Sequence, residues 1–190
     1  MDHLVFAPRR ARPHTALLTA FILGVGAAAG GFPAWAQEDD GNVETFEETH
    51  ADWRVRCEKP QDGSGPERCF MFQNLVMRES QRQLLNFAVA FPDEDADTPT
   101  AVVMVPLGVS LPAGLGLAVT EDAEPTRVAF QHCITIGCRA VIPLDGDQVA
   151  ALKAGTEATV SFSDGTGRAV NVPVSLSGFT AAFNSLVARR

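Results

Sequence analysis

Apolar and polar residues alternate strictly from position 53 to 58: Trp53, Val55 and Cys57 fall on one side, and Arg54, Arg56 and Glu58 on the other. That period of two predicts a half-buried strand with Trp53 facing inward. A turn-rich stretch, KPQDGSGPE, then leads into a second apolar run over 68–76 that returns antiparallel to the first. Further strand-like runs occupy 84–91, 101–105, 115–120, 127–130, 134–142, 158–162 and 169–174, separated by Gly, Pro and Asp. Short strands at this spacing predict a mostly β protein, an antiparallel sandwich or barrel-like domain. Helical period enters twice. Residues 147–154 (DQVAALKA) predict one short helix, with Asp145 or Asp147 as its cap and Gly155 just beyond its end. After Ser177, the residues Phe179, Ala182, Phe183 and Leu186 share one helical face, and Arg189 and Arg190 suit the negative end of the helix dipole. This amphipathic C-terminal helix is expected to cover the sheet.

Two apolar stretches raise the question of a membrane. In the first 36 residues, Arg9, Arg10 and Arg12 precede a nearly unbroken apolar run over 15–29, and Ala34-Trp35-Ala36 follows. A basic start, a short apolar centre and an A-x-A site describe a secretory signal peptide, cut between Ala36 and Gln37. No cysteine stands at that point to take a lipid. The second stretch, 100–120 (TAVVMVPLGVSLPAGLGLAVT), is interrupted by Pro106, Pro112 and three glycines, so it reads as two or three buried strands rather than a spanning helix. Residues 37–51 are polar and acidic with little to bury, which predicts a flexible acidic arm ahead of a single β-rich domain over 52–190.

Charge narrows the partners. The chain carries 23 acidic and 15 basic residues, for a net charge of −8. Removing 1–36 takes away three arginines and one aspartate, so the net charge becomes −10. Such a chain has no electrostatic footprint for nucleic acid, and its charge argues against tight adsorption on anionic lipid surfaces, which would need clustered Lys or Arg. Its cysteines locate it further. Cys57, Cys69, Cys133 and Cys138 all lie beyond position 36, and an even number in an exported chain favours disulfides. Spacing suggests Cys57 with Cys69 and Cys133 with Cys138, while the crossed pairings remain open.

Catalytic and metal-binding patterns find little here. The cysteines do not form a C-x-x-C pair, and beyond position 36 the chain has only His50 and His132 to join them, so neither a zinc site nor a redox dithiol is expected. The acidic run Asp93-Glu94-Asp95-Ala96-Asp97 begins like a calcium loop, but Thr98 and Met104 stand where an EF-hand needs glycine and glutamate; a solvated loop is expected. No serine sits in a G-x-S-x-G elbow, and neither a phosphate loop nor a dinucleotide fingerprint is present. No catalytic residue, metal or cofactor is therefore assigned.

Several separated motifs point the same way: Trp53-x-Val-x-Cys57, Cys69, VPLGVSLPAG from Val105, Cys133 with Gly137-Cys138-Arg-Ala, and SLSGFTAAF from Ser175 to Phe183. In this order, and across 52–186, they resemble the invasion-associated locus B family of exported bacterial proteins. The resemblance implies a periplasmic, outer-membrane-associated or secreted β-rich protein with no established enzymatic activity or cofactor, named for relatives that help pathogens enter host cells. The expected function is non-catalytic binding or envelope interaction with an unidentified partner. The competing expectation is an exported hydrolase that uses paired carboxylates in a cleft of the sheet.

Overall fold

The protein is described from a computed structural model that covers residues 43–93, 95–119 and 124–190. The segment 1–36, expected from its pattern to be a signal peptide, lies outside the described residues. In chain order the strands are β1 (Val43–His50), β2 (Trp53–Pro60), β3 (Arg68–Val76), β4 (Gln83–Ala90), β5 (Thr100–Val105), β6 (Leu115–Ala118), β7 (Thr126–Val128), β8 (Phe130–Ile134), β9 (Gly137–Pro143), β10 (Glu157–Ser163) and β11 (Ala169–Ser175). Helix α1 (Gly146–Ala154) separates β9 from β10, and α2 (Phe179–Val187) follows β11. All strand pairings are antiparallel, in a seven-stranded sheet ordered β1-β2-β3-β4-β5-β9-β8 and a four-stranded sheet ordered β11-β10-β6-β7. One apolar core joins both sheets and both helices.

That core follows the alternation in the sequence. Trp53, Val55 and Cys57 on β2 are wholly buried, and so are Leu85 and Val89 on β4 and Ala101 and Val103 on β5. Trp53 meets Phe87 and Phe179 edge-on at 5.8 and 5.1 Å, and its indole Nε1 donates to the Ser175 carbonyl at 2.9 Å. Beside it the buried Gln73 donates through Nε2 to the carbonyls of Asp52 (3.1 Å) and Ser175 (3.2 Å). The Ser175 hydroxyl in turn donates to the Asp52 carboxylate at 2.6 Å. This polar knot ties the turn between β1 and β2 to the junction of β11 and α2, so the two sheets meet under Trp53. Gly178 makes the approach possible: its φ is +88°, and a Cβ there would collide with the His50 carbonyl.

Both predicted helices form. Asp145 caps α1 in a reciprocal box with Gln148, each side chain accepting from the other's backbone N–H at 2.8 and 2.9 Å. Phe179, Ala182, Phe183 and Leu186 form the buried face of α2.

Three expectations need correction. Residues 43–50 are not an arm but strand β1, paired with β2 from Val43 opposite Pro60 to His50 opposite Trp53, so the ordered domain reaches back at least to Val43 rather than beginning at 52. Composition hid β1 because its ties to α2 are polar. Ser185 donates to the Glu48 carboxylate at 3.0 Å, and Arg189 lies 3.7 Å from the same carboxylate and 3.8 Å above the Phe46 ring. The run 134–142 is not one strand: Thr135 and Ile136 make the turn of the β8–β9 hairpin, and Gly137 follows where a Cβ would strike the Val105 carbonyl. Residues 127–130 divide between the sheets, Val128 ending β7 in the smaller and Phe130 opening β8 in the larger. Within 100–119 the expected buried strands form as β5 and β6, and the link between them, which includes a 3-10 turn at Leu111–Ala113, leaves Leu107 and Leu111 exposed.

The β10–β11 turn is organised by one carboxylate. Asp164 accepts from the Thr166 hydroxyl (2.6 Å), from the backbone N–H groups of Thr166 (2.9 Å) and Arg168 (3.0 Å), and from the Arg168 guanidinium. Led by the Thr166 hydroxyl, these donors hold its carboxyl down from the ordinary 3.8 to about 2. A carboxyl depressed in the fold stabilises it above the unfolded value and loses that contribution as pH falls through the folded one. Thermal melts should therefore lose stability between pH 3.8 and about 2, and Asp164→Asn should flatten that part of the curve. An NMR titration placing the Asp164 carboxyl at its ordinary value would refute the assignment.

Candidate binding groove

Residues opposed in antiparallel register share a face. Since Trp53, Val55 and Cys57 point to the core, their neighbours Arg54 and Arg56 point outward, as do Phe72 and Phe70 opposite them. The register carries this face across the sheet through Ala88 and Ala90, Val102 and Thr100, and Val141 and Arg139. The helices and the smaller sheet share the core on the inner face. On the outer face Phe70, Ala90, Val102 and Val141 are half-buried, a band of apolar side chains on the side of the sheet away from the core.

At the end of the sheet where β4 turns into β5, this band deepens into an open groove of about 750 Å³. Phe70, Ala90, Val102 and Val141 line its floor, Arg68, Gln131 and Arg139 its sides, and residues of the 91–99 loop with Arg189 and Arg190 its far end. Packing holds these groups in place. Arg190 lies 3.9 Å above the Phe91 ring and donates to the Ala96 carbonyl at 2.6 Å, fastening the loop to the end of α2. Arg139 donates to the Gln131 side chain. Alongside the groove, Arg54 and Arg56 cover the Phe72 ring at 4.8 and 5.4 Å, and Glu47 of β1 accepts from both. The Arg56 hydrogen bond is the main cause that keeps the Glu47 carboxyl below its ordinary 4.5. A volume of this size with an apolar floor and convergent guanidinium groups suits a ligand that offers both apolar and anionic groups.

The residues singled out from the sequence fall elsewhere. Cys57 is bonded to Cys69 and Cys133 to Cys138, which closes the question of crossed pairings. Each bridge staples one hairpin, β2–β3 and β8–β9. The one cluster of three metal-ligating groups among the described residues is Cys57, Glu67 and Cys69, and its two sulfurs are bonded to each other, leaving no thiolate to hold an ion. His132 is exposed on β8, and His50 ends β1 with Nε2 3.3 Å from the Glu48 carboxylate. Asp93 and Asp95 sit exposed at the groove's loop, and Glu67 is the third carboxylate of its lining. The groove itself was not singled out from the sequence. The available signal was the run of apolar residues at successive positions on 70–72 and 101–105, which marks strands apolar on both faces.

The family profile described as "Invasion associated locus B (IalB) protein" matches residues 53–187, most of the chain. The chain belongs to the invasion-associated locus B family. An invasion protein B homologue of Brucella abortus is 30% identical over 156 residues, spanning 82% of this chain and 87% of that protein. Invasion protein B of Bartonella bacilliformis is 28% identical over 142 residues, 73% of each chain. The crystal structure of invasion associated protein b from Bartonella henselae is similar at a TM-score of 0.66 and 27% identity, covering 75% of this chain and 95% of that one. The invasion-associated locus B motifs map onto structural positions: VPLGVSLPAG links the two sheets through the 3-10 turn, and SLSGFTAAF runs from β11 into α2. Among the described residues of this family member, no helix is long and apolar enough to cross a membrane.

Proposed function

We propose that this invasion-associated locus B protein is exported and acts in the periplasm, at the outer membrane or in the medium as a non-catalytic binding protein, taking its partner in the groove on the outer face. Export is supported by the signal-peptide pattern of 1–36 and by two disulfides, which persist in oxidising compartments. The observation that carries the binding reading is the groove itself, an apolar floor framed by Arg68 and Arg139. The hydrolase reading gains no support from its carboxylates. Glu67, Asp93 and Asp95 are exposed in a lining that also holds four arginines.

The test is capture of partners from intact cells with the exported protein and with Arg68→Glu/Val102→Asp, which reverses one charge and polarises the floor. Retention of the partner is expected to fall at least about tenfold, the equivalent of about 1.4 kcal/mol. Equal capture by both proteins would remove the groove from the proposal, and turnover of a substrate that survives the change would remove binding as the class.

A further inference from the structure

We propose that the end of the seven-stranded sheet opposite the groove is a docking rim for a lipid bilayer surface. Nine large apolar residues are exposed among the described residues, and six of them gather there. Val76 and Met77 stand at the β3–β4 hairpin, Leu107 and Leu111 follow β5, and Ile134 and Ile136 lie at the β8–β9 tip. The register brings them to one end. Leu75 pairs with Leu85 next to the first tip, Asn86 with Met104, and Val105 with Cys138 at the third. The strands β3, β4, β5, β9 and β8 are consecutive in the sheet, so three connections project side by side. Ile136 is 72% exposed and Leu107 57%, far more than a core-directed strand residue would be.

Shape and charge select the occupant. A protein partner of ordinary affinity needs a continuous complementary surface of about 800 Å² on each side. The rim offers six exposed apolar side chains on three tips, and a bilayer accepts such side chains one by one at the depth of its headgroups. The local charge is compatible with a lipid surface. In a chain of net charge −8, the tip segments 76–82, 106–114 and 132–138 carry Arg78 and Arg82 against the single carboxylate Glu79. Arg78 and Arg82 complement lipid phosphates at this end. Two features stiffen the tips: the Cys133 to Cys138 bridge closes the third, and the Gly165 N–H donates to the Gly108 carbonyl at 2.6 Å behind the second. The overall acidity read from the sequence hid this local balance. The inference stands apart from the groove and does not depend on what occupies it.

The test is flotation of the exported product with vesicles of phosphatidylethanolamine and phosphatidylglycerol, after its amino terminus has been read to establish that the apolar run 15–29 is absent. The wild type is expected to float, and Leu107→Glu/Ile136→Glu to float at least about tenfold less, because both the apolar contact and the local charge balance are lost. Val187→Glu, an exposed apolar residue on α2, should float like the wild type. Circular dichroism of each variant separates loss of docking from loss of fold. The proposal is overturned if the wild type stays in solution, if the tip variant floats equally, or if Val187→Glu falls with it. A wild type that stays in solution as a dimer dissociated by Ile136→Glu would reassign the rim to a second copy of this chain.

Discussion

Trp53→Ala is expected to lower the free energy of unfolding by about 4 kcal/mol, within the range for emptying a buried aromatic site. The loss combines three contributions at one position. The indole is wholly buried against Phe87 and Phe179, so its removal leaves a cavity where the two sheets and α2 converge. The Ser175 carbonyl loses its Nε1 donor. Gln73 loses the packing that aims its amide at Asp52 and Ser175. Trp53→Phe separates the terms, since it retains most of the apolar contact and deletes the donor; it should cost much less, about 1 to 2 kcal/mol. Urea denaturation followed by far-ultraviolet circular dichroism measures both. A Trp53→Ala protein destabilised by less than about 1 kcal/mol would mean that the sheets are held together elsewhere.

Loss of the Cys57 to Cys69 bridge is expected to cost about 3 kcal/mol, and loss of the Cys133 to Cys138 bridge about 2 kcal/mol, on the loop-closure account of disulfide stabilisation. The ordering follows from the chain each bridge encloses, sequence separations of 12 and 5 residues. Each bridge has one half in the core, Cys57 and Cys138, so burial separates the two less than loop length does. The paired variants Cys57→Ala/Cys69→Ala and Cys133→Ala/Cys138→Ala, compared by urea midpoint, measure the two losses without a reductant. A larger loss from the 133/138 pair would contradict the account.

Much of this fold is legible in the sequence where one face alone is apolar. Period two at Trp53, Val55 and Cys57 and the helical spacing of Phe179, Ala182, Phe183 and Leu186 each point to the side that is buried. Reading fails where that asymmetry is absent. Strand β1 is an edge strand, largely exposed, whose anchors Glu48 and Phe46 meet Ser185 and Arg189 from the distant α2. Thr135 and Ile136 are β-branched and read as strand, yet the short distance between Cys133 and Cys138 turns the chain there. The groove was hidden for a different reason. Phe70, Val102 and Val141 come from three strands, and only the cross-strand register places them side by side. Arg68 and Arg139 join them on that face, a grouping that net charge averages away.

Each bridge joins two cysteines that are consecutive in the chain. For a polypeptide threaded amino end first into an oxidising space, first-come pairing is then also the correct pairing. Cys69 emerges while Cys57 is its sole possible mate, and by the time Cys133 appears the earlier two are already spent. Such an order requires an oxidant but no reshuffling of wrong bonds, so maturation should be insensitive to the loss of disulfide isomerase activity.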